Sequence, residues 1–302
     1  MNWSEALSKN IRSAKIERNF PLAPCTTMGI GGNAEFYIEA EEIEDIKNIK
    51  SLENSEGLKL KIIGGGSNLL IRDGIVNGLF LSTRRFKGIN IKNAGDSFTL
   101  EVKAGTSMRD VIARTFSLSA EGLEHLVGIP GTVGGALAGN AGGKGFSISD
   151  NVEWVETVDT KGMLCRWAKD EIEWRYRSSS LTDSGRIIVS CGLCVKKGSI
   201  DRIKERQSFF WGIRGNQPYE YKSAGCIFKN PEGYAAGKLL DDCKCKGLRR
   251  GDAHVSTRHA NFIVNTGNAS FKDVTGLINE CRKRVKESKG IDLELEVRLL
   301  ND

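Results

Sequence analysis

The chain has 302 residues, 39% hydrophobic and 27% charged, with 44 Lys and Arg against 38 Asp and Glu for a formal net charge of +6. This composition excludes an intrinsically disordered chain, and no apolar run approaches the ~20 residues that a membrane-spanning helix needs. Basic residues are interleaved with acidic ones, so the charge suits small anionic ligands, and neither a nucleic-acid nor a membrane partner is expected.

Length allows about two domains. The opening Met1–Leu7 lacks the basic-then-apolar layout of an export signal, which predicts a cytoplasmic protein whose eight cysteines are reduced. Gly29–Ala34 matches a loose G-x-G-x-x-A pattern, but no strand precedes it and the strand-like Glu35–Glu39 follows where a dinucleotide-binding fold requires a helix. Next comes a predicted strand, Leu58–Ile63, that runs directly into Gly64-Gly65-Gly66-Ser67-Asn68. Amides without side chains at a strand end are well placed for phosphate oxygens. A strand is predicted over Phe98–Lys103, then a helix starting near Thr106 or Ser107, with Asp110 in its first turn and Met108, Val111, Ile112 and Phe116 at helical spacing.

The stretch His125–Gly145 has eight glycines in the eighteen residues from Gly128 to Gly145, a density that predicts neither a good helix nor a good strand. Glycine clusters of this kind serve tight turns or close approach of backbone to a ligand, and two of them together point to a large dianionic ligand. Gly143-Lys144 is followed by Gly145 rather than Ser or Thr, so there is no NTPase-type phosphate loop.

Strands are predicted at Val152–Val158 and Arg186–Val195, the latter placing Cys191 and Cys194 on opposite faces, which argues against a redox pair. Cys243 and Cys245 flank Lys244, and with three histidines in the chain no ligand set has zinc spacing, so no metal is expected. A domain transition is expected near Trp211–Pro218 and a strand at Asn261–Asn265. A helix begins after Ser270, whose hydroxyl caps it while Asp273 answers three residues on, with Phe271, Val274, Leu277, Ile278, Cys281 and Val285 inward and Gly290 ending it. The last segment, Ile291–Leu300, alternates apolar and charged residues as a half-buried strand does, which leaves Glu294 and Glu296 equivalent. Arg175 and Arg177 alternate in the same undecided way beside Trp174 and Tyr176.

Six blocks then carry a resemblance: Thr26–Gly32, Gly64–Leu70, Gly128–Gly135 with Asn140–Gly142, Tyr176-Arg177-x-Ser179, Ser223–Pro231 and His259–Asn265, closed by Leu295–Arg298. Their order along nearly the whole chain resembles the UDP-N-acetylenolpyruvoylglucosamine reductase (MurB) family, in its shorter form. The resemblance implies an α+β fold: a two-lobed FAD-binding domain of the vanillyl-alcohol-oxidase (PCMH) type, with lobes over 1–83 and 84–212. A C-terminal α/β substrate domain over 213–302 follows, its final strand packing back on the FAD domain. It also implies a monomeric, NADPH-driven flavoenzyme that reduces UDP-N-acetylglucosamine enolpyruvate to UDP-N-acetylmuramate for peptidoglycan synthesis. Another FAD-linked oxidase or dehydrogenase of the same fold is the alternative.

By residue-by-residue transfer, the cofactor is expected at Thr27, Gly64, Gly65, Gly66, Ser67, Asn68, Gly128, Pro130, Gly131, Thr132, Gly134, Gly135 and Asn140. The resemblance makes Arg177, Cys226 and Glu296 the catalytic residues. Hydride addition puts charge on the substrate carboxylate, which a guanidinium holds by two parallel hydrogen bonds. Position 226 departs from the usual serine, and a thiol, being the stronger acid, can deliver the same proton while it stays protonated. Tyr176, Arg214, Lys222 and Asn230 are expected at the substrate; Asn216 stands where relatives have lysine, which leaves the diphosphate to Arg214 or Lys222, and Lys144 replaces a common tyrosine. His125 and His259 are read as structural.

Overall fold

The computed structural model describes residues 11, 15–56, 59–183 and 185–301; the expected leader-free start at Met1–Leu7 and the first residue of the predicted strand Leu58–Ile63 lie outside them. The chain forms two compact units: residues 1–18, 36–65 and 78–214 in the first, and 19–35, 66–77 and 215–302 in the second. Sequence order alone does not yield this partition, because two short segments, 19–35 and 66–77, cluster with the C-terminal residues.

Unit 1 is built around an antiparallel sheet ordered Leu164–Ala168, Val152–Val158, Ile187–Lys197, Ser97–Lys103, Ile89–Ala94, with Ala120–Glu121 added at the end of Ile187–Lys197. Its buried face carries Leu100, Val102, Val155, Cys191 and Leu193 against Met108, Val111 and Ile112 of the helix Met108–Ser117. Ser107 caps that helix, its hydroxyl accepting from the Asp110 amide at 3.0 Å. Cys191 is fully buried and Cys194 half-buried, as their opposite parity requires. A second core in the unit packs Phe36, Ile38, Ile46, Ile49, Leu79 and Leu81, drawing on the helix Ile43–Glu56 and the parallel pairing of Leu60–Ile63 with Leu79–Ser82.

Unit 2 has a four-stranded antiparallel sheet, ordered Lys222–Cys226, Phe262–Asn265, Ala253–Val255, Arg249–Arg250. The helix Phe271–Lys289 buries Val274, Leu277, Ile278, Cys281 and Val285 in the same core as Ala253, Val255 and Ile263. It starts with a reciprocal Ser270–Asp273 box and stops at Gly290 with φ 72°, a left-handed conformation that glycine adopts without a Cβ penalty.

Two expectations are corrected. The glycine-rich stretch does contain a helix, Val133–Ala138, because the Thr132 hydroxyl caps it and Gly134 comes so close to Ala104 that a Cβ would lie 2.9 Å from the Ala104 Cβ. The last segment is a regular strand only over Arg298–Leu300, where it pairs in parallel with Leu69–Ile71. Upstream its alternation persists, with Leu293 and Val297 buried, but the bonds to Ile227–Lys229 are irregular: Lys229 N–H to Glu294 O at 2.9 Å, then both Glu296 and Val297 N–H to Ile227 O.

Candidate active site

In unit 1 the two glycine clusters meet as bare backbone. A Cβ on Gly65 would lie 2.5 Å from the Gly131 Cα, and one on Gly64 would lie 2.5 Å from the Thr132 Oγ1. Contacts that short exclude side chains, so glycine is required there by close approach. The loop is fixed from both sides: Met108 N–H donates to Gly131 O at 3.0 Å, and Arg84 donates from Nε to Gly64 O at 3.0 Å and from Nη2 to Gly65 O at 3.2 Å. Gly128 and Gly131 have φ of 77° and 105°. The Trp211 ring backs Gly128, reaching within 2.8 Å of where its Cβ would stand. Pro130 is exposed, and Gly134 and Gly135 form the first turn of the capped helix.

Just past that helix, Asn140 adopts φ 40°, its side-chain amide donates to Arg175 O at 3.2 Å, and its buried Oδ1 has no partner within the protein. An orphaned buried acceptor at one end of the helix Val133–Ala138 and a side-chain-free cradle at its other end are what a bound dinucleotide would complete, so these residues fit an FAD.

Asn140 holds the hairpin on which Arg177 stands. Trp174–Arg175 pairs with Ser178–Ser179, leaving Tyr176 and Arg177 as the turn, with Arg177 at φ 60°. For a residue with a Cβ that conformation costs on the order of 1 kcal/mol, and it is tolerated where surrounding structure imposes it. Arg177 is half-buried and donates from Nη1 to Gly142 O at 2.9 Å. Arg175 is exposed and ion-paired with Glu173 and with Asp183 at 2.9 Å, which raises its pKa still further. The residue pattern leaves these two arginines equivalent, and their partners separate them. Tyr176 is exposed, 5.1 Å from the Arg177 guanidinium carbon.

Unit 2 gathers a second group. Cys226 ends the strand Lys222–Cys226 after an irregularity in its pairing, with Gly225 at φ 76°. The next residue, Ile227, accepts the Glu296 N–H at 2.8 Å, so the backbone brings Cys226 and Glu296 to one place. Asn68 donates its side-chain amide to Glu296 O at 3.0 Å and accepts the Arg298 N–H at its own carbonyl, also at 3.0 Å. Gly66, at φ 65°, approaches Cys25 O so closely that a Cβ would lie 2.0 Å from it. Thr27 donates its hydroxyl to Ser223 O at 2.6 Å and its N–H to Gly66 O at 3.2 Å, and Ser67 is half-buried beside Asn68. Glu294 is exposed and ion-paired to Lys229, whereas Glu296 is half-buried. Parity alone does not distinguish them.

The four residues expected at the substrate stand differently. Lys222 is exposed and extends over Gly29, whose Cβ would meet its Cδ at 2.8 Å. Asn230 accepts at 2.9 Å the N–H of Ala236, the first residue of the helix Ala236–Asp242. Arg214 is buried, donating to His125 O at 2.8 Å and Phe210 O at 3.2 Å. His125 sits at Ser147 O, 3.1 Å away, and burial lowers its pKa; His259 Nδ1 accepts the Asn261 N–H at 3.2 Å and is lowered for the same reason. Residue pattern does not single out Asn261, whose amide clamps both backbone groups of Phe228 at 2.8 and 2.9 Å, nor the role of Ser179, whose partner carbonyls are those of Leu137 and Ala138. Among the described residues no group of three or more His, Cys, Asp or Glu is placed to hold a metal ion, all eight cysteines are free, and no helix is long and apolar enough to cross a membrane.

Known proteins match this arrangement over almost its whole length. Residues 34–168 match the family model of an FAD binding domain, and residues 217–300 match that of the UDP-N-acetylenolpyruvoylglucosamine reductase C-terminal domain. The UDP-N-acetylenolpyruvoylglucosamine reductase of Carboxydothermus hydrogenoformans is 37% identical over 299 residues, covering 99% of this chain and 98% of its own. That of Prochlorococcus marinus (strain NATL2A) is 38% identical over 290 residues, covering 95% and 99%. The crystal structure of the Thermus caldophilus enzyme (MurB) superposes with a TM-score of 0.82 at 35% identity, covering 95% of this chain and 99% of that one. A berberine-bridge-like protein of Physcomitrella patens shares the fold at a TM-score of 0.55 and 13% identity, covering 95% and 89%. The fold is therefore α+β, an FAD-binding domain of the PCMH type joined to a C-terminal substrate domain, and FAD is its cofactor. With both family models satisfied and full-length identity above one third, the chain belongs to the UDP-N-acetylenolpyruvoylglucosamine reductase family.

Proposed function

We propose that this protein reduces UDP-N-acetylglucosamine enolpyruvate to UDP-N-acetylmuramate with NADPH as the electron source, in peptidoglycan precursor synthesis. The observation that carries the reading is the joining of Cys226 to Glu296 through the Ile227 carbonyl, at the position where the family resemblance puts the acid of the second half-reaction. Bound FAD supplies a hydride acceptor and donor; Gly64, Gly65, Gly131 and Thr132 hold it, and Asn140 offers it the unused Oδ1.

The chain's own groups complete the chemistry. Arg177 binds the enolpyruvyl carboxylate, and because charge grows there as hydride arrives at the terminal carbon, its guanidinium stabilises the transition state more than the ground state. The Cys226 Sγ–H then gives its proton to the neighbouring carbon, and the thiolate is reprotonated from solvent before the next turnover. Glu296 assists by holding the enol oxygen through its carboxyl group. Lys222 takes the diphosphate, since Arg214 is buried and donates to the Phe210 and His125 carbonyls.

Steady-state turnover with NADPH, with the product identified by mass spectrometry, tests the reading. Conversion of the enolpyruvyl ether to a lactyl ether bearing two more hydrogens is expected. Consumption of NADPH with oxygen and without substrate conversion would instead favour a related oxidase.

A further inference from the structure

The hairpin Trp174–Ser179 pairs two residues with two, and a ribbon that short has no independent stability in water. Its position is set from outside by three hydrogen bonds to one stretch of chain: Asn140 to Arg175 O, Arg177 to Gly142 O, and Ser179 Oγ to Leu137 O at 2.9 Å, with Ala138 O at 3.4 Å. Of the three, the Ser179 bond is the one whose donor residue is fully buried, so water does not replace it when it is lost, and Leu137 O is left with its longer bond from the Asn140 N–H at 3.3 Å. Ser179 stands two residues beyond Arg177, on the strand that leaves the strained turn.

We propose that Ser179 is a positioning residue, whose hydroxyl fixes the Arg177 hairpin to the end of the helix Val133–Ala138 and so sets where the guanidinium meets the substrate carboxylate. This rests on the reading of Arg177 given above. A tether of this kind acts on one half-reaction only. Reduction of the flavin by NADPH makes no demand on Arg177, whereas reoxidation by the enolpyruvyl substrate does, and misplacement by about 1 Å costs up to roughly 100-fold.

The experiment compares FAD-loaded wild type, S179A, S179C, R177K and the double variant S179A/R177K by anaerobic stopped-flow, following both half-reactions, with thermal melting of each. Expected is a roughly 10- to 100-fold slower reoxidation in S179A at unchanged flavin reduction, with S179C, a near-isosteric but weaker donor, in between. In the R177K background the same change adds nothing, because a residue acting through Arg177 has no further effect once Arg177 is altered. The proposal is overturned if S179A reoxidises at the wild-type rate, slows both half-reactions alike, or costs the same factor with and without Arg177. If R177K itself reoxidises normally, the role of Arg177 falls, and this inference with it.

Discussion

The glycine cradle of unit 1 and the Cys226–Glu296 group of unit 2 are made of different materials. The cradle is backbone against backbone: Gly65 stands opposite Gly131 at a distance that no Cβ allows, and what matters is the absence of side chains. In unit 2 the backbone is a frame, with Ile227 O receiving Glu296 N–H, and what matters is which side chains project from it. A site of the first kind announces itself in composition. One of the second kind depends on single identities that composition and alternation do not reveal.

That contrast is sharpened most by Cys226. Cys226→Ala removes the proposed acid and should slow substrate-dependent reoxidation by roughly 10²- to 10⁴-fold, while Cys226→Ser, which restores a hydroxyl donor, should stay within roughly tenfold of wild type; rapid-mixing kinetics on the two variants decide it. In the cradle the corresponding change adds an atom instead of removing a function. Gly65→Ala should weaken FAD binding by roughly 100-fold, because forcing a Cβ between fixed backbones costs about 1–3 kcal/mol, and fluorescence titration of the apoprotein reads it. Wild-type affinity in that variant would mean the two loops move apart freely.

Smaller effects follow at the edges of the two regions. Lys222→Ala should raise KM for the UDP-substrate by roughly tenfold with kcat nearly unchanged, as expected for one charged contact to a phosphate, whereas an unaltered KM would return the diphosphate to another cation. Smallest is a pH effect shared by both units. Burial holds His125, His254 and His259 below the ordinary imidazole value near 6.5, so the folded state prefers them neutral. Their contribution to stability is therefore present above pH ~6.5 and lost as pH falls below it toward their lowered values. Melting temperature against pH should decline on that side, and His125→Phe should flatten the decline in unit 1.

Much of the frame was legible. The Ser107 and Ser270 caps, the Gly290 stop and the inward face of Phe271–Lys289 follow from local chemistry, and local chemistry is visible in a sequence. The helix Val133–Ala138 was not legible, because the cost of its glycines is offset by the Thr132 cap and by packing on Ala104, a residue distant in sequence. Arg175 could not be told from Arg177, nor Glu294 from Glu296, for the same reason: the partners that occupy Arg175 and Glu294 are Asp183 and Lys229, and a period of two places alternate residues on the same face whatever their partners. Arg214 reads as a substrate cation in the sequence since nothing nearby reveals that its guanidinium is buried at the His125 carbonyl. The resemblance to the family selected Arg177 and Glu296 where the residue pattern could not.

The most direct measurement is a single anaerobic experiment on the FAD-loaded protein, reduced with NADPH and then mixed with UDP-N-acetylglucosamine enolpyruvate while the flavin absorbance is followed. Rapid return of the oxidised spectrum with formation of the lactyl ether is the predicted result. A flavin that stays reduced until air is admitted would contradict the assignment of Arg177, Cys226 and Glu296 to this reaction.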